Sequence, residues 1–239
     1  MKTERTKRKQ TTPAKTESVQ RRRAAAREAA REQKSELYRK LVLEAAERVF
    51  AEKGYDEARI GEISEASGLS LQTLYSAFPG KVSIYEAVQE LRDHALHTRV
   101  LEAAQGIKEP LDALLAGFRA ATLYFLENPD FLRLRLHGGF TWGTDESAAG
   151  DRDRTGAWRA ALERLRMACE RCSRTGVFVD RDPALMARMM IAMQQVELAH
   201  WLEGGMKTKA QRVIEDLEDQ VTRAFLRPPQ SSLRAISAK

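Results

Sequence analysis

Apolar residues recur along most of this chain at intervals of three and four, broken within a few positions by charge, and alternating runs of β-branched residues are nearly absent. That periodicity predicts an all-α protein. From Ser35, the positions Leu37, Leu41, Ala45, Val49 and Phe50 mark one face of a first firm helix, which Gly54 stops. Two short helices follow, over 60–67 and 70–77, joined by Gly68 and Leu69; neither is long enough to persist without tertiary packing. A fourth begins near Gly80, turns Ile84, Tyr85 and Val88 inward and continues to residue 104. Helices over 110–127, 130–136, 151–175, 182–203 and 207–226 complete the pattern, punctuated by Pro110, by Asp182 before Pro183, by Gly204 and Gly205, and by Pro228 and Pro229. The one long loop, 138–150, carries Phe140 and Trp142, and no internal repeat is evident.

Charge divides the chain further. Residues 1–40 hold 14 Lys and Arg against 5 Asp and Glu, a net of +9, while the remainder carries a net of −3. From Glu17 to Lys34 this arm is rich in Ala, Arg, Glu and Gln, which form helices well but leave almost nothing to bury, so it either extends the next helix or frays. A basic arm without an apolar face suits nucleic acid better than a membrane. The expected organisation is a basic arm over 1–36, flexible or partly helical, a compact module over 37–85, a helical body over 86–228 and a tail over 229–239. No run approaches the roughly 20 apolar residues that cross a bilayer, and the basic start lacks a secretory apolar segment, so the cytoplasm is the expected compartment. Two cysteines three residues apart give no disulfide framework.

The segment "IGEISEASGLSLQTLYSAFPGK", 60–81, explains the two short helices. They can cross steeply only if a small residue lies at the contact, which Ser64 supplies, and if the turn bends sharply, which Gly68 permits. Ile63, Leu69, Leu74 and Phe78 then share the inner face, leaving Leu71, Gln72, Thr73, Tyr75 and Ser76 outside. This is a helix-turn-helix with a reading surface. Gln72 can donate and accept at once, as adenine requires, and Leu71 can meet a thymine methyl. Thr73, Tyr75 and Lys81 are expected on phosphates, with Lys81 at the start of the fourth helix.

The stretch "LVLEAAERVFAEKGYDEARIGEISEASGLSLQTLYSAFPGKVSIYEAV", 41–88, resembles the TetR repressors of bacteria in the order and spacing of its helix, "GY", short helix, "TLY", "F" and "K". The resemblance implies a dimeric transcriptional regulator, commonly a repressor on a palindromic operator released by a small molecule. It also implies an N-terminal helix-turn-helix domain of three helices and an all-helical C-terminal domain for ligand binding and dimerisation. Segment 182–205 is similar to the family's penultimate helix. Three positions depart from the pattern: Ala77 replaces a habitual Tyr or His, Gly80 a common Ser, and Arg59 a capping Thr. Arg59 cannot cap as a hydroxyl does but can reach a phosphate as a cation.

In the helix from Asp182, apolar residues occupy most of the circumference, so more than one side needs covering. One large domain burying the helix from every side would satisfy this, and so would a second copy. A two-fold four-helix interface with the last helix is expected, carried by Met186, Met190, Met193, Glu197, Trp201, Leu217 and Val221. Leu115, Phe118, Thr122, Phe125, Trp158, Leu162 and Leu165, with Phe140 and Trp142 from the loop and polar His137, Arg135 or Gln195, have the composition of a small-molecule pocket. Ordinary cores share that composition; the resemblance favours a pocket, for an effector with an apolar or aromatic part.

Other chemistry finds little support. Cys169 and Cys172 fall on the apolar stripe of Trp158, Leu162 and Leu165, which reads as packing, and no second CxxC completes a zinc site. His94 and His97 are three apart on a helix but lack a carboxylate or thiol at matching spacing, so no metal or other cofactor is assigned. There is no phosphate-cradling glycine loop, GxSxG elbow or HExxH, and no enzyme is expected. The alternatives are a metal-sensing regulator and an architectural or adaptor protein that binds double-stranded DNA without an effector.

Overall fold

The computed structural model describes residues 13–137 and 156–228, with side chains from 21 to 137 and from 159 to 228. Within these residues the helices are α1 (Pro13–Glu57), α2 (Ile60–Ser67), α3 (Leu71–Ala77), α4 (Lys81–Ala104), α5 (Pro110–Glu127), α6 (Pro129–His137), α7 (Gly156–Arg174), α8 (Pro183–Glu203) and α9 (Ala210–Phe225). The all-α class holds. The only pairing of extended backbone among them is an isolated antiparallel bridge between Phe178 and Leu226. Among the described residues, no helix is long and apolar enough to cross a membrane.

Of the two outcomes left open for the arm, the structure takes the first: α1 runs upstream of Ser35 to Pro13. Residues 21–36 are exposed throughout. Helix persists there because it propagates from a segment already nucleated by packing, through residues of high helix propensity. Leu37, expected on the inner stripe, is 53% exposed because the head's core begins only near Val42. At the other end Gly54 breaks the helix with φ of 74°.

Two apolar clusters divide the molecule. The first gathers Val42, Ala46, Val49 and Phe50 of α1 with Ile63, Leu74, Phe78, Ile84 and Val88, and it also takes Tyr124 of α5 and Phe131 and Leu134 of α6. The second lies among α5, α7, α8 and α9, around Phe118, Cys169, Cys172, Phe178, Met190, Leu198, Leu217 and Phe225. Head and body are therefore not separated by a linker: α6 is a wall of the head.

Several body assignments need correction. Met186, Met190, Leu217 and Val221, expected between two copies, have no exposed surface within one protomer. Trp201 is equally committed, 9% exposed and donating its Nε1–H to the Thr208 carbonyl at 2.9 Å. Met193 leans on the body's own core, and Glu197 accepts a hydrogen bond from Gln220 of α9 at 3.2 Å. Apolar content all round α8 does not say which side is internal; its exposed apolar positions are Leu185 and Val196, with half-buried Ala192 and Ala199 in line with them, while Met189 packs on the body core as Met193 does. The cysteine stripe is packing: both thiols are buried, and burial pushes Cys169 up to about 12 and Cys172 to about 11.

Candidate nucleic-acid interface

The turn between α2 and α3 is built by small residues and short hydrogen bonds. Gly68 takes φ of 68°, a conformation costly to residues bearing a Cβ. Its N–H reaches the Glu65 carbonyl at 3.1 Å, and the Leu69 N–H reaches the Ser64 carbonyl at 3.2 Å. Ser64, 8% exposed, closes the crossing by donating its hydroxyl to the Leu69 carbonyl at 2.6 Å. Ser70 then caps α3, accepting from the Thr73 N–H at 3.2 Å. Buried Leu74 and Phe78 fasten the helix from beneath.

The opposite face of α3 stands in solvent. Leu71 is 47% and Tyr75 51% exposed, and Gln72 and Ser76 are exposed as well. Among the described residues, neither the Gln72 amide nor the Tyr75 hydroxyl has a hydrogen-bond partner, so both arrive at a ligand with full capacity. Ser76 turns its hydroxyl back to the Thr73 carbonyl at 2.6 Å. The Thr73 hydroxyl lies 2.9 Å from that of Ser70 and belongs to the cap. The Arg59 side chain is exposed beside Glu62, whose carboxylate accepts from Lys53 Nζ at 2.7 Å and from the Arg59 backbone N–H at 3.1 Å. The Lys53 hydrogen bond, followed by the Arg59 backbone, holds Glu62 below the ordinary carboxylate range.

Lys81 sits differently from the phosphate contact expected of it. Its ammonium donates to the carbonyls of Ala58 at 2.8 Å and Asp56 at 3.1 Å, and lies 4.5 Å from the Tyr55 ring centroid. It satisfies the carbonyls where α1 ends, as basic groups commonly do at helix C-termini. A matching residue escaped the sequence reading. Arg39 donates to the Ala77 carbonyl at 2.8 Å and stacks 4.2 Å over the Phe78 ring, securing the end of α3 to α1. Its only sequence signal was a basic residue 38 positions upstream of a helix end, which periodicity does not reveal.

The polar groups assigned to a pocket separate. Thr122 is buried beside Phe118 and accepts from Gln194 Nε2 at 2.8 Å, so the buried amide of α8 is Gln194 and not Gln195. Phe125 and Leu162 are half-buried against the same cluster. His137 lies elsewhere, its ring Nε2–H on the Ala51 carbonyl at 3.0 Å, at the end of α1. Arg135 is ion-paired with buried Asp93. Phe140, Trp142 and the Trp158 side chain lie outside the described residues, as do residues 1–12 of the arm and the tail from 229. His97 is held below its ordinary range by burial, then by Arg164 and His94. No group of three or more metal-ligating side chains occurs among the described residues.

Residues 42–88 match the sequence profile of the bacterial regulatory proteins of the tetR family. A curated relative, the uncharacterized HTH-type transcriptional regulator YuxN of Bacillus subtilis (strain 168), is 27% identical over 107 residues. That match spans 45% of this chain and 37% of the relative. Among solved structures, the TetR family transcriptional regulator PfmR from Thermus thermophilus is 28% identical, with a TM-score of 0.62, covering 76% of this chain and 97% of that one. The SmeT–triclosan complex shares the fold at 19% identity, with a TM-score of 0.62, over 80% of this chain and 92% of that one.

Proposed function

We propose that this chain, a transcription regulator of the TetR family by its head and its fold and not an enzyme, acts as a homodimeric, ligand-responsive repressor of a palindromic operator. The observation that carries the reading is α3 itself, anchored by Leu74 while Leu71, Gln72 and Tyr75 face solvent with no partners of their own. An exposed leucine and tyrosine one helical turn apart are unfavourable in water and useful against base edges and sugars. Arg59 and the outer face of α3 supply the contacts. Thr73 and Lys81 act mainly by holding α3 and α4 in place.

One short reading helix makes too few contacts for specificity, and a two-fold pair matched to a palindrome doubles them. The face of α8 with exposed Leu185 and Val196, and Ala192 and Ala199 in line with them, is the surface we assign to the second copy, because small and apolar side chains let two helices approach closely. For the effector, the buried Thr122–Gln194 pair offers a few polar groups in the body whose apolar core Phe118, Phe125 and Leu162 join. The triclosan bound by SmeT, a neighbour in fold, supports an aromatic or apolar ligand here. An effector that prefers a head separation unsuited to DNA lowers operator affinity by the ratio of its affinities for the two states.

The test is selection of preferred duplexes from a random pool, followed by Gln72→Ala. Selectivity should relax at one base position by about 1–3 kcal/mol. Equal binding to all duplexes, collapsing with salt, would instead favour an architectural protein.

A further inference from the structure

We infer that the exposed first part of α1 is a second DNA contact, a preformed helix whose basic stripe, Arg23, Arg27, Arg31 and Lys34, lies along the phosphate backbone beside the sequence read by α3. The inference rests on the reading of α3 given above and adds a surface to it.

Three observations converge. First, the arm emerges beside the reading helix: Arg39, at its root, is bonded to the Ala77 carbonyl and stacked on Phe78 at the end of α3. A duplex lying on α3 is therefore within reach of the helix that continues upstream. Second, every residue from 21 to 36 is exposed, and among the described residues no salt bridge involves any of the four cations. Lys34 alone has a neighbour, the Tyr38 ring at 5.4 Å.

Third, the charges are sorted by face. Arg23, Arg27, Arg31 and Lys34 follow intervals of four, four and three and form one stripe without an acid in it, while Glu28, Glu32 and Glu36 form another, which Arg21 precedes by seven residues and which meets the basic stripe at the i,i+3 pair of Glu28 and Arg31. Between 21 and 36, each i,i+4 pair in which both residues are charged joins like charges. Such pairs destabilise an isolated helix, whereas the opposite arrangement would stabilise it. A solvated helix selected only to remain helical would interleave its signs. Sorting them weakens the helix and gains a face of one charge, which is useful against an external partner of opposite charge. The alanines at 24, 25, 26, 29 and 30 keep the surroundings small, so the helix can lie close.

The dimensions fit a duplex. Eleven residues separate Arg23 from Lys34, so the stripe is about 16 Å long. Over that length of duplex axis each strand carries about five phosphates, at roughly one charge per 3.4 Å, so four cations do not exceed what one strand offers. A second copy of this chain, pairing basic stripe with acidic stripe, is the rival occupant. It is disfavoured because the arm has no apolar seam to bury between two helices.

The experiment uses the full chain and two duplexes of equal length, one selected from a random pool and one unselected. Replacing all four cations by Gln, which preserves helix propensity, should weaken binding to both duplexes at least tenfold and flatten the salt slope by up to about 3.6 per arm. Selectivity between the duplexes should stay. Exchanging Arg27→Glu with Glu28→Arg keeps the net charge but breaks both stripes, and it should also weaken binding; unchanged binding would reduce the arm to bulk charge and overturn the oriented contact. Glu28→Gln with Glu32→Gln and Glu36→Gln should not weaken it. Since all these side chains are exposed, unfolding should remain unchanged, which controls for folding. An unaltered slope in the Gln variant overturns the proposal, while loss of selectivity in Gln72→Ala would leave the α3 reading standing. A change in protomer association without a change in DNA binding assigns the stripe to the second copy. Failure of the unmodified protein to prefer any duplex would sink the reading of α3 itself.

Discussion

Two glycines seven residues apart in the helix-turn-helix should respond to the same substitution with opposite signs. Gly61 lies in the first turn of α2 with an ordinary φ, and Gly68 forms the turn with φ of 68°; a Cβ added to either meets no atom within 4 Å. Packing therefore drops out of the comparison, leaving backbone energetics alone. At Gly61 an added methyl improves helix propensity and restricts the unfolded chain, a gain of about 0.5–1 kcal/mol. At Gly68 the left-handed conformation costs about 1–2 kcal/mol, offset in part by the same unfolded-state term, for a net loss near 1 kcal/mol. The two variants should then differ by about 1.5–2 kcal/mol, a factor of roughly 10 to 30 in the folding equilibrium. Urea unfolding at fixed protomer concentration measures this, the fixed concentration being needed because association would shift the midpoint. Gly68→Asn, better tolerated at positive φ, should fall between Gly68→Ala and the native protein. Equal effects of the two alanines would refute the claim that the turn's conformation, and not the space around it, requires glycine. A loss above about 3 kcal/mol at Gly68 would show that the turn is crowded after all.

Lys81→Met should lower stability by about 1.5–3 kcal/mol through the lost carbonyl bonds while leaving the salt slope of DNA binding unchanged; a slope reduced by about one per head would return Lys81 to the phosphates. Val196→Glu should leave a folded protomer that sediments as a monomer, whereas Met186→Ala should cost about 2–5 kcal/mol of folding stability through the cavity it leaves in the core. If Val196→Glu remains dimeric, the outward stripe of α8 is not the contact. The cysteine thiols, pushed up by burial to about 12 and 11 from 9.0, favour the folded state fully below pH 9 and cease to do so as pH rises through those values. A thiol reagent near neutral pH should accordingly modify neither until urea unfolds the chain, and rapid modification of the native protein would contradict their burial.

The head was legible because its constraints are local. Ser64, Gly68 and the apolar quartet of Ile63, Leu69, Leu74 and Phe78 lie within 16 residues, so spacing alone determines which side chains meet and which are left outside. Long-range polar contacts were not legible. Nothing in the spacing says that Lys81 returns 23 positions to the end of α1, or that Arg39 reaches forward 38 to the end of α3. In the body, α8 carries apolar residues all round, so periodicity identified a helix covered on several sides but mistook its internal face for an external one. The choice of Gln195 over Gln194 is the same error in miniature, since one residue turns a helix by about 100°. Loop residues Phe140 and Trp142 had no periodicity to place them.

The connection between body and head follows from where burial and charge coincide. Glu47 of α1, 7% exposed, receives Arg92 of α4 through three contacts of 2.7–3.0 Å, and the same guanidinium donates to Asn128 between α5 and α6 at 2.8 Å. Burial lowers the affinity of Arg92 for its proton, but its interactions with Glu47 and Tyr124 together outweigh that and the net shift is upward. Asp93 and Arg135 join α4 to α6 one residue further on, and His137 joins α6 to Ala51. A buried pair of this kind adds little net stability over a well-packed apolar substitute, yet it is intolerant of displacement, because separation leaves a desolvated charge uncompensated. Apolar contacts can slide by about an ångström at small cost; a bidentate pair cannot. The joint is therefore expected to move as a unit, and under the proposed function an effector among α5, α7 and α8 would alter the separation of two heads by shifting α4 and α6 together with α1. This geometry favours two discrete arrangements over a continuum, as population-shift control of DNA affinity requires.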